Sequence, residues 1–243
     1  MPPTDDSLDT LLDRLTPTRR ARMLEAAAQR MKGVTVVLEA LYDPGNRGAI
    51  QRSAEANGLL DVHIVRPEVA RKSAARAVSR GAEKWLRTAH WPDATTCCDH
   101  LRARGFRIYA ADLTAARPLS AIDFSHPTAL VFGNEHEGIS DAMRDACDGA
   151  FVLPMRGFVQ SYNVSVAAAI AIQHARGARE RAIGATTDLT PSERDQLFER
   201  WVRLADRWSR TPKTKRRPLQ GGLPVASTKH LAKSRGGGSP KAG

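Results

Sequence analysis

The sequence predicts an α/β fold, a mostly parallel sheet covered by helices, and three observations predict it. Short runs such as Val34-Thr35-Val36-Val37-Leu38 are apolar or β-branched at every position, as in strands buried on both faces. Stretches of helical composition follow these runs, and some stop at a glycine (Gly58, Gly105) placed to terminate them. The two kinds of segment alternate at the length of repeated βα units, which favours parallel pairing. Taken in order, helices are expected over 6–15 and 17–31, the second opened by Thr16 with Pro17 at its first position. A strand follows over 34–38, a helix over 48–57 and a strand over 62–65. Residues 66–90 are less regular, with a short helix near 73–79 and a strand over 85–88. A helix over 94–104, strands over 107–111 and 129–132, a helix over 140–147, a strand over 150–153 and an Ala-rich helix over 164–181 complete the alternation. A final helix over 191–208 starts from Thr190 with Glu193 three residues on, a capping box. Its Leu197, Trp201, Leu204 and Trp208 recur at helical spacing, a pattern expected to pack against the core or a subunit rather than to stack on bases.

The 243 residues suffice for one buried core with helical arms, and 42% hydrophobic and 26% charged content are ordinary for a globular protein. No apolar run approaches the ~20 residues that a membrane span needs. The first six residues are acidic where a secretion signal would be basic and then apolar, and three cysteines, two of them adjacent, fit a reducing compartment. A cytoplasmic location is therefore expected. No pair of cysteines has zinc-ligand spacing, and His136 has no second ligand near it in sequence, so no metal is expected. The net charge of +11 is unevenly distributed. Residues 209–243 hold nine Lys or Arg and no acid, leaving 28 basic against 26 acidic side chains in the other 208 residues. That Gly/Pro/Ser-rich tail is expected to be disordered, either a solubilising appendage or a phosphate-attracting arm. Arg19, Arg20, Arg22, Arg30 and Lys32 form a second basic cluster on the expected N-terminal helix. Two basic arms around one core favour a polyanion partner.

Three segments put polar or glycine turns at the mouths of expected βα units, where α/β proteins bind ligands. In the first, the turn Asp43-Pro44-Gly45-Asn46 precedes a helix carrying Arg52. Asn46 there is either a helix cap or the group that holds the Arg52 fork while it grips a phosphate or hydroxyl. In the second, Phe132-Gly133-Asn134-Glu135-His136-Glu137-Gly138, Gly133 allows close approach of a ligand to the backbone and Glu135 sits in a loop. In the third, Leu153-Pro154-Met155 leads through a loop to Ser161-Tyr162-Asn163. Asn163 or Ser161 serves there as a helix cap, or the free backbone N–H groups hold a carboxylate or ribose oxygens. No Gly-x-Gly-x-x-Gly stands between a strand and a helix, so a Rossmann-type dinucleotide site is not expected.

Together and in this order, the segments resemble the three signature motifs of the SpoU-type (TrmH) RNA 2′-O-methyltransferases of the SPOUT superfamily, over roughly residues 17–208. The short N-terminal helix and the C-terminal helical extension are most similar to the branch that methylates guanosine 18 of tRNA. The resemblance implies S-adenosylmethionine as cofactor, tRNA as substrate, a homodimer that completes the site, and a deep trefoil knot in the C-terminal half of the sheet. It implies catalytic or site-organising roles for Asn46, Arg52, Glu135 and Asn163. Cofactor contacts are implied for Ala110, Ala111 and Leu113, for Gly133 and Asn134, for Val152, Leu153 and Met155, and for Ser161, Tyr162 and Asn163. Arg19, Arg20 and Arg22 are the expected RNA contacts. The organisation that follows is an RNA-binding arm over 1–32, a catalytic domain over 33–181, a helical extension over 182–208 and the basic tail over 209–243. Tyr162 stands where Leu is common in the family, and Asp43 and Gly45 replace a Lys-Pro-His approach to Asn46. The same reaction on ribosomal RNA or at another tRNA position, and a non-catalytic RNA-binding relative, are the rival readings.

Overall fold

The computed structural model describes residues 7–65 and 81–210; the helix expected near 73–79 and the tail beyond Arg210 lie outside them. Six strands form one parallel sheet: β1 (Val34–Glu39), β2 (Asp61–Val65), β3 (Arg87–Trp91), β4 (Arg107–Ala111), β5 (Thr128–Phe132) and β6 (Gly149–Phe151). Their spatial order is β3-β2-β1-β5-β4-β6. The chain thus builds outward from β1 on one side, then crosses over to lay β5 directly against the other side of β1, in register from Val34↔Thr128 to Leu38↔Phe132. Connections leave the carboxyl ends of β1 and β5 in opposite directions, which opens a crevice there.

Among the described residues seven α-helices surround the sheet: α1 (Leu8–Asp13), α2 (Pro17–Ala28), α3 (Pro44–Ala56), α4 (Ala94–Ala103), α5 (Asp141–Asp145), α6 (Val164–Ile183) and α7 (Pro191–Arg210). α3 and α6 pack on each other, and α6 also covers β1 and β5. Their Ile50, Ala54, Ala168, Ala171, Ile172 and Ala175 close over Val34, Val36, Leu38, Leu130 and Phe132 in the larger core. The alternate strand residues, Val37, Ile108 and Val131, face the other way onto Cys97, Cys98 and Leu101 of α4 and Met143 of α5. Burial raises all three cysteine thiols, Cys98 to about 11 and Cys147 to about 12, so they pack as apolar groups rather than as nucleophiles. A third cluster joins the two ends of the chain, with Met23 and Ala27 of α2 against Leu197, Trp201 and Ala205 of α7. No helix among the described residues is long and apolar enough to cross a membrane.

The expected elements recur with instructive shifts. α2 begins where expected, Thr16 accepting from the Arg19 N–H, but ends at Ala28, because Met31 instead bridges to Leu59 beside β1. α3 starts four residues before the expected position. Asp43 caps it by accepting from the Gly45 N–H at 2.7 Å, and Pro44 occupies the first turn. The Asp-Pro-Gly-Asn stretch is therefore helix start rather than turn. The strand expected over 85–88 lies at Arg87–Trp91, after a 3-10 turn over Ala82–Lys84. The capping box of α7 forms, with the Thr190 N–H donating to Glu193 at 2.8 Å and the Glu193 N–H to the Thr190 hydroxyl at 3.2 Å. Trp201 is buried, with its ring edge-on to Trp85.

Two members of the expected basic cluster are structural. Arg30 is only 3% exposed. It pairs with Glu55 at 2.6 Å, donates to the Leu59 carbonyl at 2.8 Å and lies over the Trp201 ring. Lys32 is held by Glu193 at 2.6 Å. Both lie beyond the end of α2 at Ala28, in the connection to β1, so the expected helix face does not carry them. Arg20 and Arg22 remain exposed, Arg22 paired with Glu25, and Arg19 is half-buried.

Candidate functional site

The crevice at the carboxyl ends of β1 and β5 contains a chain of polar side chains assembled from all three segments. Asn46, in the first turn of α3, donates from its amide nitrogen to Glu135 at 2.5 Å. Its carbonyl oxygen accepts from the Asn163 amide at 3.2 Å. Asn163 in turn caps α6, its oxygen accepting from the Ser165 N–H at 2.8 Å and the Ser165 hydroxyl at 2.6 Å. Asn163 is thus both an ordinary helix cap and a site residue, because a carboxamide has an acceptor to spend on one and a donor for the other.

Glu135 is presented by a tight loop after β5. Asn134 and Gly138 bond to each other through both backbone pairs, at 2.9 and 3.2 Å. The Asn134 side chain accepts from the His136 and Glu137 N–H groups. A Cβ on Gly133 would lie 2.1 Å from the Gly138 carbonyl and 2.3 Å from the Ile139 nitrogen. Glycine is required at 133 because the loop folds back on it, which differs from the ligand approach expected from sequence. The following helix is anchored by buried Glu39 at the end of β1. Its carboxylate accepts from the N–H of Ser140, the cap of α5, at 2.9 Å and from its hydroxyl at 2.6 Å.

A cavity of about 530 Å³ opens beside this chain, within the size range of small-molecule sites. Ala111, Leu113, Gly133, Asn134, Leu153, Met155, Ser161, Tyr162 and Asn163, all expected as cofactor contacts, line it, together with Glu135. Ala110 and Val152 do not. Ala110 points into the core beneath α4, and Val152 pairs through its backbone with Arg117 and Leu119. Of the lining residues here, none of Leu153, Met155, Ser161, Tyr162 and Asn163 has a backbone N–H partner among the described residues, so their N–H groups are free donors.

Sequence reasoning did not single out Asp112, though it lies in the expected cofactor loop over 110–113, and missed Arg144; both line the cavity and form an ion pair. Burial pushes the Asp112 carboxyl up, but hydrogen bonds from Thr114 and Arg144 outweigh that and hold it below the usual range. A strand-end carboxylate was the only available signal, and 32 positions separate the partners.

Arg52 is not joined to this cluster. It is exposed on α3, about 9 Å along the helix axis from Asn46, with no hydrogen-bond or ion-pair partner among the described residues. Asn46 does not hold its guanidinium; the Asn46 amide bonds Glu135 and Asn163 instead. Among the described residues no group of three His, Cys, Asp or Glu side chains is placed to hold a metal ion.

Known proteins share this architecture. The chain is 36% identical over 190 residues to the tRNA (guanosine(18)-2′-O)-methyltransferase of Thermus thermophilus, covering 77% of this chain and 97% of that one. Its fold superposes on the TrmH/SpoU tRNA modifying enzyme of A. aeolicus with a TM-score of 0.69 at 27% identity, over 77% of this chain and 96% of that one. The SpoU methyltransferase AviRb of Streptomyces viridochromogenes, solved in complex with AdoMet, matches with a TM-score of 0.56 at 27% identity, over 74% of this chain and 63% of that one. The profile of the SpoU rRNA methylase family matches residues 33–173, a span that contains the sheet, the cavity and the whole Asn163–Asn46–Glu135 chain, and this chain belongs to that family.

Proposed function

We propose that this protein transfers the methyl group of S-adenosylmethionine to a ribose 2′-oxygen of tRNA, at guanosine 18. The observation that carries the reading is the hydrogen-bonded run Asn163–Asn46–Glu135 at the rim of the cavity. Near full-length similarity to the Thermus enzyme supports tRNA over ribosomal RNA.

The residues present fit the cofactor. The cavity has the volume for a nucleoside with an amino-acid tail, and the free N–H groups of Leu153, Met155, Ser161, Tyr162 and Asn163 suit base and ribose acceptors. Leu153, Met155, Phe132 and Phe151 give apolar walls, and Gly133, Asn134 and Ser161–Asn163 the polar edge. When bound, S-adenosylmethionine supplies an electrophilic methyl on a positively charged sulfur. The protein's own task is to hold the 2′-hydroxyl in line with it. Asn163, fixed by α6, positions Asn46; Asn46 orients the Glu135 carboxylate over the cavity mouth. Arg52 keeps its proton too strongly to act as a base. Its part is to grip the phosphate next to the target ribose and to stabilise the negative charge growing on the 2′-oxygen, while the phosphate or a water takes the proton.

Arg52 reaches the reacting oxygen in a homodimer. Tyr162, Val166 and Ile170 stand exposed at four-residue spacing along the start of α6, an apolar stripe beside Asn163 that suits a second copy. α6 is packed on α3, the helix that carries Arg52, so the stripe and Arg52 belong to neighbouring elements of the fold. A trefoil knot accords with the path of the chain. The segment after β6 pairs at Val152 with Arg117 and Leu119 of the β4–β5 connection, then returns as α6 under β1 and β5. Residues 33–181 form the catalytic domain. The N-terminal helices carry Arg19, Arg20 and Arg22 to the RNA, with the helical extension over residues 182–208 following the catalytic domain. A tRNA substrate supports a cytoplasmic location.

The test is transfer of labelled methyl from S-adenosylmethionine to an unmodified tRNA transcript. Label is expected at guanosine 18, and none on a transcript with 2′-deoxyguanosine at that position. Equal labelling of the two transcripts refutes the reading.

A further inference from the structure

The cavity lining is electrostatically lopsided. Among the described residues it includes three carboxylates, Asp112, Glu135 and Glu137, and a single guanidinium, Arg144, with no lysine. S-adenosylmethionine carries two positive centres, a sulfonium and an ammonium, and one negative, the α-carboxylate. The acids match the first two. Among the Lys and Arg side chains of the lining, Arg144 alone matches the third.

Arg144 is built for such a contact. Asp112 takes one guanidinium nitrogen, and Asp112 is itself fixed by the Thr114 N–H at 2.9 Å and the Thr114 hydroxyl at 2.8 Å. Glu39 anchors the cap of α5, the helix that carries Arg144. The guanidinium is therefore held at one edge while the Arg144 side chain stays about half exposed on the cavity wall (48%), against 10% for Asp112. A guanidinium has five N–H donors in a planar fork, enough to bond Asp112 and a second carboxylate together.

We propose that Arg144, oriented by Asp112, binds the α-carboxylate of S-adenosylmethionine and makes the site selective for cofactors that carry the amino-acid tail. The proposal rests on this cavity being the cofactor site, and the test separates the two. Binding of S-adenosylmethionine, S-adenosylhomocysteine and 5′-methylthioadenosine, which lacks the tail, is measured by calorimetry on the full chain and its variants. Arg144→Met is expected to weaken the first two about tenfold or more and to leave methylthioadenosine within about twofold. The double variant Arg144→Met/Asp112→Asn is expected to show the same pattern, which removes repulsion by an unpaired Asp112 as the cause. Wild-type affinity of Arg144→Met for S-adenosylmethionine, an equal loss for methylthioadenosine, or full recovery in the double variant overturns the assignment. Leu153→Trp, which fills the cavity, is expected to abolish binding of all three. Unchanged binding there overturns the cavity reading itself, whereas loss there with a neutral Arg144→Met overturns only the role of Arg144.

Discussion

Gly133→Ala tests how the Glu135 loop is built. The added methyl meets the Gly138 carbonyl carbon and oxygen at 2.1 Å and the Ile139 nitrogen at 2.3 Å, all backbone atoms. Relief to an ordinary contact of ~3.4 Å requires the two arms of the loop to part by more than 1 Å, roughly the difference between the two separations. That displacement breaks both Asn134–Gly138 backbone bonds and strains the two N–H bonds to the Asn134 side chain. At about 0.5–1.5 kcal/mol per bond, with Asn134 itself buried, the cost is about 2–4 kcal/mol. For a chain of this size that lowers the thermal midpoint by roughly 5–15 °C. Gly138→Ala is the control. Gly138 has a left-handed backbone (φ 72°) but open space around its Cα, so only conformational strain of about 1 kcal/mol is expected. Thermal unfolding and S-adenosylmethionine calorimetry of both variants decide. Gly133→Ala is expected to be much the less stable and to lose cofactor affinity. Equal stability of the two variants, or full affinity in Gly133→Ala, refutes the account of the loop.

Asn163→Asp keeps a good helix cap but replaces the donor to Asn46 with an acceptor; stability within about 0.5 kcal/mol of wild type and turnover reduced at least tenfold are expected from denaturation and methyl-transfer assays. Arg30→Met strands Glu55 and the Leu59 carbonyl, so a loss of about 3–5 kcal/mol is expected in urea denaturation, with tRNA affinity of the folded protein unchanged. Arg20→Ala and Arg22→Ala are expected to leave stability unchanged and each to reduce the salt slope of tRNA binding by about one. Burial lowers His63 from 6.5 to about 4, so the unfolded chain takes up the proton first; stability is expected to be complete above pH 6.5 and to fall as pH drops through 4, and pH-resolved denaturation of His63→Asn should lack that component.

Strand–helix alternation was legible because buried parallel strands are apolar at every position, and Val34–Leu38 is such a run. β3 was misplaced because Arg87–Trp91 is an edge strand with mixed polar composition, so its pattern is weak. The start of α3 was misread because Asp-Pro-Gly-Asn has turn chemistry as well as the cap and first-turn proline of a helix. Asn46, Glu135 and Asn163 were legible as a set through the family resemblance, which also named Arg52; the structure bonds the first three together and leaves Arg52 apart. Arg30 and the Asp112–Arg144 pair were not legible, because their partners are fixed only by tertiary packing.

The Asn163 amide has a further consequence. It starts the 20-residue helix that underlies the sheet and also passes a hydrogen bond into the reactive cleft. Aspartate, serine and threonine all satisfy the first duty, but none of them reproduces both ends of the amide. Under the proposed function, folding and reactivity draw on one functional group, and a drift in sequence tolerated by the helix is filtered by the chemistry.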